Sequence, residues 1–240
     1  MMNYLIFLAG GIGSRMKSLD CPKQYLLVDE KPIFLYSLET FEKSGDINGI
    51  IIVAHKEWRE FISKWIKKAD IKKFITFADA GEARQSSIYN GLKLLKKLAK
   101  QEDNVIIHDA ARPLVSGKLI HNCLRQLDKY DGVMPVLPAK DTFYQSANGK
   151  NIGGLLPREH LFAGQAPESF KMVPYMLIHE EKTDDEINKM TGSTEIAYKA
   201  GLTIKMIPGE EQNFKITTEE DIRLFKMYLQ GERVKNKLLV

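Results

Sequence analysis

A chain of 240 residues that is 44% hydrophobic and 28% charged is long enough to bury a sizeable core as one domain spanning residues 1–240. Its 35 basic and 31 acidic side chains leave a formal charge of only +4, too even a balance to argue for a nucleic acid or membrane partner. Cys21 and Cys123 lie too far apart for a C-x-x-C, so neither a disulfide framework nor a zinc cluster is indicated, and no apolar run approaches membrane-spanning length.

In chain order, the apolar start at residues 4–8 predicts a strand. It lacks a basic lead-in and runs into glycines rather than a cleavage site, so the expected location is cytoplasmic. Further β-rich runs at 50–54, 74–78, 105–108, 133–137 and 203–207 predict strands, alternating with stretches of helical period. Residues 33–41 read as a helix, as do 58–66, where Trp58, Phe61, Ile62, Trp65 and Ile66 share a face, and 84–100, where Ile88, Leu92 and Leu95 do. This alternation predicts an α/β fold with a mainly parallel twisted sheet and helices on both faces. Ligands of such sheets bind beyond the carboxyl ends of the strands.

Residues 141–157 break the alternation. They have weak apolar periodicity and contain the tight-turn pair Asn148-Gly149, which predicts a projecting β-hairpin. Two isolated strands are only marginally stable, so the expectation is an arm packed on a second copy, hence a homodimer, rather than a free surface loop. Residues 231–240 read as a frayed tail.

The loop after the first strand carries three glycines, Gly10, Gly11 and Gly13, with Arg15 and Lys23 close behind. Glycines remove side chains where backbone N–H groups approach phosphate oxygens. A P-loop would need Lys-Ser or Lys-Thr after its last glycine, where this chain has Ser14-Arg15, and a dinucleotide fingerprint would need glycine at Met16. Both readings fail.

Ala9-Gly10-Gly11-x-Gly13-x-Arg15-Met16 followed by Pro22-Lys23-Gln24 resembles the signature of the sugar nucleotidyltransferases. More narrowly, the chain is similar to the methylerythritol-phosphate and ribitol-5-phosphate cytidylyltransferases. The similarity extends in order through residues 81–87, His108-Asp109-Ala110-Ala111-Arg112-Pro113, Asp141-Thr142 and Lys215-Ile216-Thr217-Thr218. It implies a Rossmann-like nucleotidyltransferase fold and transfer of CMP from CTP to a small polyol or sugar phosphate, with release of pyrophosphate and Mg²⁺ as cofactor. A phosphate monoester is already largely a dianion at neutral pH, so no serine or histidine base is needed. Cations, backbone N–H groups and Mg²⁺ must instead bring two anions together.

By the same resemblance, Arg15, Lys23 and Lys215 are the catalytic cations. Ala9, Gly10, Gly11 and Gly13 surround the nucleotide, Gly81, Arg84 and Ser87 match the segment that meets cytosine, and Asp109 and Ala110 lie beside the ribose and metal, with Asp109 as the metal ligand. Arg112, Thr142 and Arg158 form the acceptor-phosphate pocket, completed by the partner's arm. The alternatives are another triphosphate or acceptor on the same fold, and a non-catalytic nucleotide-binding homologue. His55, His121, His160 and His179 have no metal-ligand spacing, and His108 is expected to support its loop.

Two blocks depart from the pattern. The family's acceptor-side Thr-Pro-Gln is replaced by Ala166-Pro167-Glu168, which removes a hydroxyl that would donate a hydrogen bond worth roughly 1.5–3 kcal/mol to the acceptor phosphate and adds a carboxylate. Gly192-Ser193-Thr194-Glu195 lacks the acidic pair often found there. Gly164-Gln165 ahead of the proline looks more like the ribitol-phosphate branch, and the acceptor stays open between the two.

Overall fold

The computed structural model describes the backbone of residues 1–12 and 21–238, with side chains as far as Glu232. In chain order the strands are β1 (Asn3–Leu8), β2 (Leu27–Val28), β3 (Lys31–Pro32), β4 (Gly49–Ala54), β5 (Phe74–Asp79), β6 (Asn104–Asp109), β7 (Gly132–Pro138), β8 (Phe143–Gln145), β9 (Gly154–Leu156), β10 (Phe162–Gly164), β11 (Glu168–Lys171) and β12 (Ile204–Pro208). The helices are α1 (Ile33–Lys43), α2 (Lys56–Lys68), α3 (Arg84–Leu95), α4 (Gly117–Arg125), α5 (Met172–Glu180), α6 (Asp184–Lys189), α7 (Ser193–Lys199) and α8 (Glu219–Leu238).

β6, β1, β4 and β5 lie side by side and parallel, with β1 between β6 and β4. β12 joins β7 in parallel. β10 and β11 both run antiparallel along β7, their registers offset by two residues across Gln165–Pro167. After that offset β11 also pairs with β6, setting Glu168 opposite Ile107 and so close to the carboxyl end of β6. The sheet is therefore mostly parallel, with an antiparallel insertion beside the strand that ends in Asp109.

The strands are hydrophobic on both faces because both are covered. Leu5 and Phe7 of β1 pack with Phe34, Leu38 and Phe41 of α1, Ile62 and Ile66 of α2, and Leu119 and Ile120 of α4. Tyr4 and Ile6, alternating with them, pack on the opposite face with Ile88, Leu92 and Leu95 of α3, Tyr175 and Met176 of α5, and Ile196 of α7. A smaller cluster of Val28, Ile33, Ile216 and Phe225 seats α8 beside the main body. Ile216 thereby anchors the residue before it, Lys215.

The six strands and three helices expected from the sequence are present, though α3 ends at Leu95 rather than running to residue 100. Residues 231–238 are not a frayed tail: the backbone there continues α8 to Leu238, through a stretch that mixes helix-forming Glu, Arg, Lys and Leu with Gly231, Val234 and Asn236 and has no proline to stop it. β8 and β9 form a separate two-stranded antiparallel sheet, Phe143 opposite Leu156 and Gln145 opposite Gly154. No helix of the described residues is long and apolar enough to cross a membrane.

Candidate active site

Beyond Leu8 the chain bends over the carboxyl edge of the sheet at Ala9, Gly10 and Gly11, and three side-chain contacts hold the bend. The Tyr25 hydroxyl and the Gln24 amide both donate to the Ala9 carbonyl at 2.7 Å, and Gln24 also donates to the Gly11 carbonyl at 2.7 Å. Gln24 and Tyr25 are buried, and the Tyr25 ring stacks on Trp58 of α2 at 4.3 Å between centroids. Pro22-Lys23-Gln24-Tyr25 is thus a bracket for the glycine loop, and it presents Lys23 to the cleft in front. Gly10 passes so near the chain following β5 that a Cβ on it would lie 2.6 Å from the Ala80 Cβ. At Gly81 an added Cβ would collide with Ser86. Glycine is required at both by close approach.

The cleft has a volume of about 440 Å³, within the range of small-molecule sites. Gly10, Gly11, Lys23 and Gln24 line one side, and Gly81, Glu82, Ala83, Arg84 and Ser87 the other. Asp109 and Lys215 close one end, and His55 also lines the wall. The Gly81 N–H donates to the Ser87 hydroxyl oxygen at 2.9 Å, so the Ser87 O–H is turned away from that contact and can itself donate.

Charge at the closed end is arranged around Asp109. Its Oδ1 accepts from Arg84 Nε at 3.0 Å, its Oδ2 accepts from Lys215 Nζ at 3.0 Å, and Arg112 Nε lies 3.7 Å from Oδ2. Burial alone would raise the Asp109 carboxyl, but Arg84, Lys215 and Arg112 hold it well below the usual carboxylate range. Glu168 lies behind this group, its Oε2 3.6 Å from an Arg84 terminal nitrogen. Burial first, and the charge of Asp109, push its carboxyl up, while Arg84 and Arg112 pull it back. His108 supports the turn that follows β6. It is fully buried, its Nε2 donates to the Arg112 carbonyl at 3.0 Å, and desolvation depresses its pKa to about 4, so the ring is neutral.

Most of the residues marked out in the sequence converge here. Gly10, Gly11, Lys23, Gly81, Arg84, Ser87, Asp109 and Lys215 line one cleft, with Ala9 and Ala110 buried beneath it. Gly13 and Arg15 lie outside the described residues. Arg112 is set behind the cleft, where it donates to the Asn213 carbonyl at 2.8 Å. Thr142 and Arg158 are exposed at the base of the β8–β9 hairpin, away from the cleft lining, and Arg158 donates to the Lys140 carbonyl at 3.1 Å. His55, Glu82 and the bracketing role of Gln24 were not foreseen. A buried glutamine directly after a cleft lysine carries a signal only once the glycine loop's carbonyls are known to need donors.

The family model for 2-C-methyl-D-erythritol 4-phosphate cytidylyltransferase matches residues 3–231. The chain belongs to this family. It is accordingly a nucleotidyltransferase of the cytidylyltransferase kind. Among relatives, it is 29% identical to the ribitol-5-phosphate cytidylyltransferase of Vibrio parahaemolyticus, over 96% of this chain and 97% of that protein. It is 30% identical to the ribitol-5-phosphate cytidylyltransferase of Lacticaseibacillus paracasei, over 95% and 98%. Among solved structures it is similar to 4-diphosphocytidyl-2C-methyl-D-erythritol synthase from Anaerococcus prevotii, with a TM-score of 0.80, 25% identity, and 95% and 96% of the two chains covered.

Proposed function

We propose that this cytidylyltransferase joins the CMP half of CTP to ribitol 5-phosphate or a closely similar polyol phosphate, and releases pyrophosphate. The observation that carries the reading is the convergence of Lys23 and Lys215 on one cleft that is also lined by Gly10, Gly11 and Gly81. Such a cleft suits two anions that must approach each other, because fixed cations and N–H groups stabilise the charge that builds up in transfer. The acceptor phosphate oxygen attacks the α-phosphorus in line, and the bond from that phosphorus to the departing pyrophosphate breaks. Lys23, with Arg15 nearby in sequence, faces the triphosphate, and Lys215 bridges the α-phosphate and the acceptor. Cytosine rests against Gly81 and Ser87, and a pocket shaped to a pyrimidine there would discriminate against purines by size.

The donor set suits magnesium carried in with the nucleotide. Among the described residues no group of three metal-binding side chains gathers, and Asp109, with Glu82 on the wall, supplies the carboxylates at the cleft. Magnesium is usually held by one or two carboxylates together with substrate phosphates. Each Asp109 oxygen accepts one donor here and keeps a lone pair to offer. When bound, the ion would add charge neutralisation at the phosphates.

Ribitol 5-phosphate is favoured over methylerythritol phosphate because two relatives that match over nearly their full length bear the former name. The same reading makes the enzyme cytoplasmic, where CTP is made, and homodimeric. The β8–β9 hairpin exposes Phe143, Tyr144, Ile152 and Leu155, and a sheet of two three-residue strands needs a second surface to stay ordered. A second copy would cover it and bring Thr142 and Arg158 to the neighbour's acceptor site. The test is pyrophosphate release with each of the four nucleoside triphosphates crossed with ribitol 5-phosphate and methylerythritol phosphate, with and without Mg²⁺. Turnover should require Mg²⁺ and be fastest with CTP and ribitol 5-phosphate. Equal rates with CTP and UTP would overturn the cytosine assignment.

A further inference from the structure

We infer that Glu168 is a positioning residue for the nucleotide: its carboxylate closes the third side of a clamp on the Arg84 guanidinium, and the clamp holds the cleft wall in shape. This rests on the reading of the cleft as a CTP site. Arg84 is the first residue of α3 and directly follows Gly81, Glu82 and Ala83, which line the cleft with it. Its guanidinium meets three partners from three elements. Nε donates to Asp109 Oδ1 at the end of β6 at 3.0 Å, one terminal nitrogen donates to the Ser193 hydroxyl at the start of α7 at 2.6 Å, and the other faces Glu168 Oε2 at the start of β11 at 3.6 Å. With each of its nitrogens directed at protein, Arg84 acts through the loop it anchors.

The carboxylate is otherwise unexplained. The Glu168 side chain is 11% exposed, and its Oε2 has no hydrogen-bond partner among the described residues. A buried carboxylate left without hydrogen bonds is costly unless a cation faces it. Arg84 and Arg112 supply the positive charge here, and without Glu168 the three cations Arg84, Arg112 and Lys215 would face Asp109 alone. Arg84 would then compete with Lys215 for the Asp109 oxygens, and the wall that leads into α3 would lose its fixed position.

The geometry also provides a control. Ser193 Oγ accepts from a terminal nitrogen of Arg84 at 2.6 Å, so a carboxylate placed at 193 meets the same guanidinium from another element. Steady-state kinetics of pyrophosphate release should be measured for wild type, Glu168→Gln, Glu168→Asp, and Glu168→Gln combined with Ser193→Asp, varying CTP and ribitol 5-phosphate in turn, with thermal melts on every variant. Glu168→Gln should raise KM for CTP about tenfold, more than it raises KM for the acceptor or lowers kcat. Glu168→Asp keeps the charge but retracts it by one methylene, and it should show a smaller rise in the same constant. The double variant should recover at least half of the loss on a logarithmic scale. If Glu168→Gln fails to fold, the Asp variant and the double variant carry the test alone. An unchanged CTP KM in a folded Glu168→Gln or Glu168→Asp variant, or a double variant no better than the single, overturns the inference. Absence of CTP turnover in the wild type would instead remove the reading of the cleft on which it rests.

Discussion

Replacing Asp109 by asparagine tests the charge balance of the closed end with little change of shape. The carboxylate faces Arg84 at 3.0 Å, Lys215 at 3.0 Å and Arg112 at 3.7 Å, and it is almost fully buried. Asparagine would turn an N–H₂ toward either Arg84 or Lys215, a donor against a donor, and leave three cations near one another. Breaking a buried pair by removing one partner costs about 3–5 kcal/mol. Lys215 is about one-third exposed and can swing partly into water, so the lower end, about 3 kcal/mol, is expected. For a chain of this length that corresponds to a fall in melting temperature of roughly 6–12 °C. Urea titration should show the same loss as a lower midpoint at unchanged slope. Adding CTP without magnesium returns negative charge to the cleft, so it should raise the melting temperature of the variant more than that of the wild type. An Asp109→Asn protein melting within a degree of wild type, and no more responsive to CTP, would refute the charge-balance argument.

Lys23→Ala should lower turnover by about 10²–10³ while leaving the melting temperature nearly unchanged, since it removes charge matched to the transition state; a folded variant with near-native turnover would exclude Lys23 from that role. His179 is buried, with Nδ1 donating to the Tyr175 carbonyl at 2.6 Å and Nε2 accepting from Gln85 at 2.6 Å, and desolvation depresses its pKa to about 4. The unfolded chain therefore takes up this proton first as pH falls from about 6.5, and the wild type should lose about 2.5 kcal/mol between pH 7 and pH 4.5 through His179; denaturation of His179→Gln across that range should lack this part of the slope. Deleting the hairpin tip at residues 147–150 should shift the protein from dimer to monomer in sedimentation and raise KM for the acceptor more than for CTP, whereas a truncated enzyme still dimeric and fully active would argue against the arm.

The parts of the fold legible in the sequence are those where one physical demand acts alone. Strands such as β4, Gly-Ile-Ile-Ile-Val-Ala, are covered on both faces, so burial by itself writes a continuous apolar run. β10 and β11 escaped notice because Gly164, Gln165, Ala166 and Pro167 shift the register between them, and only Phe170 of β11 carries an apolar side chain into the core. α5 is apolar on several sides and holds Pro174 in its first turn, so it presents neither a helical stripe nor a clear start.

The site divides in the same way. Glycines directly after the first strand and the cations that follow are local features, so Gly10 and Lys23 could be picked out from the residues themselves, whereas Gly81 and Lys215 were marked only by resemblance to the family's ordered blocks. The clamp on Arg84 joins the ends of β6 and β11 to the start of α7, a meeting set by topology that no spacing along the chain reveals. In the sequence, Glu168 and Ser193 registered only as departures from a pattern, one gaining a carboxylate and the other lacking one. In the fold they face the same guanidinium.

That arrangement assigns different tasks to cations that look alike in the sequence. A cleft for two anions must hold positive charge before either anion arrives, and uncompensated buried cations would weigh against folding. Here Asp109 balances Arg84 and Lys215 together, with Glu168 as the second carboxylate. Arg84 is deeply held by three partners, and burial opposes its charge while Asp109 and Glu168 sustain it, so exchanging those partners for a phosphate would cost more than the new contact returns. Lys215 has one carboxylate contact, a partly exposed side chain and a flexible four-carbon stem. Of the two it can release Asp109 for a phosphate when substrate enters. The proposed chemistry therefore falls to the lysines, and the arginine clamp keeps the wall in place while they act.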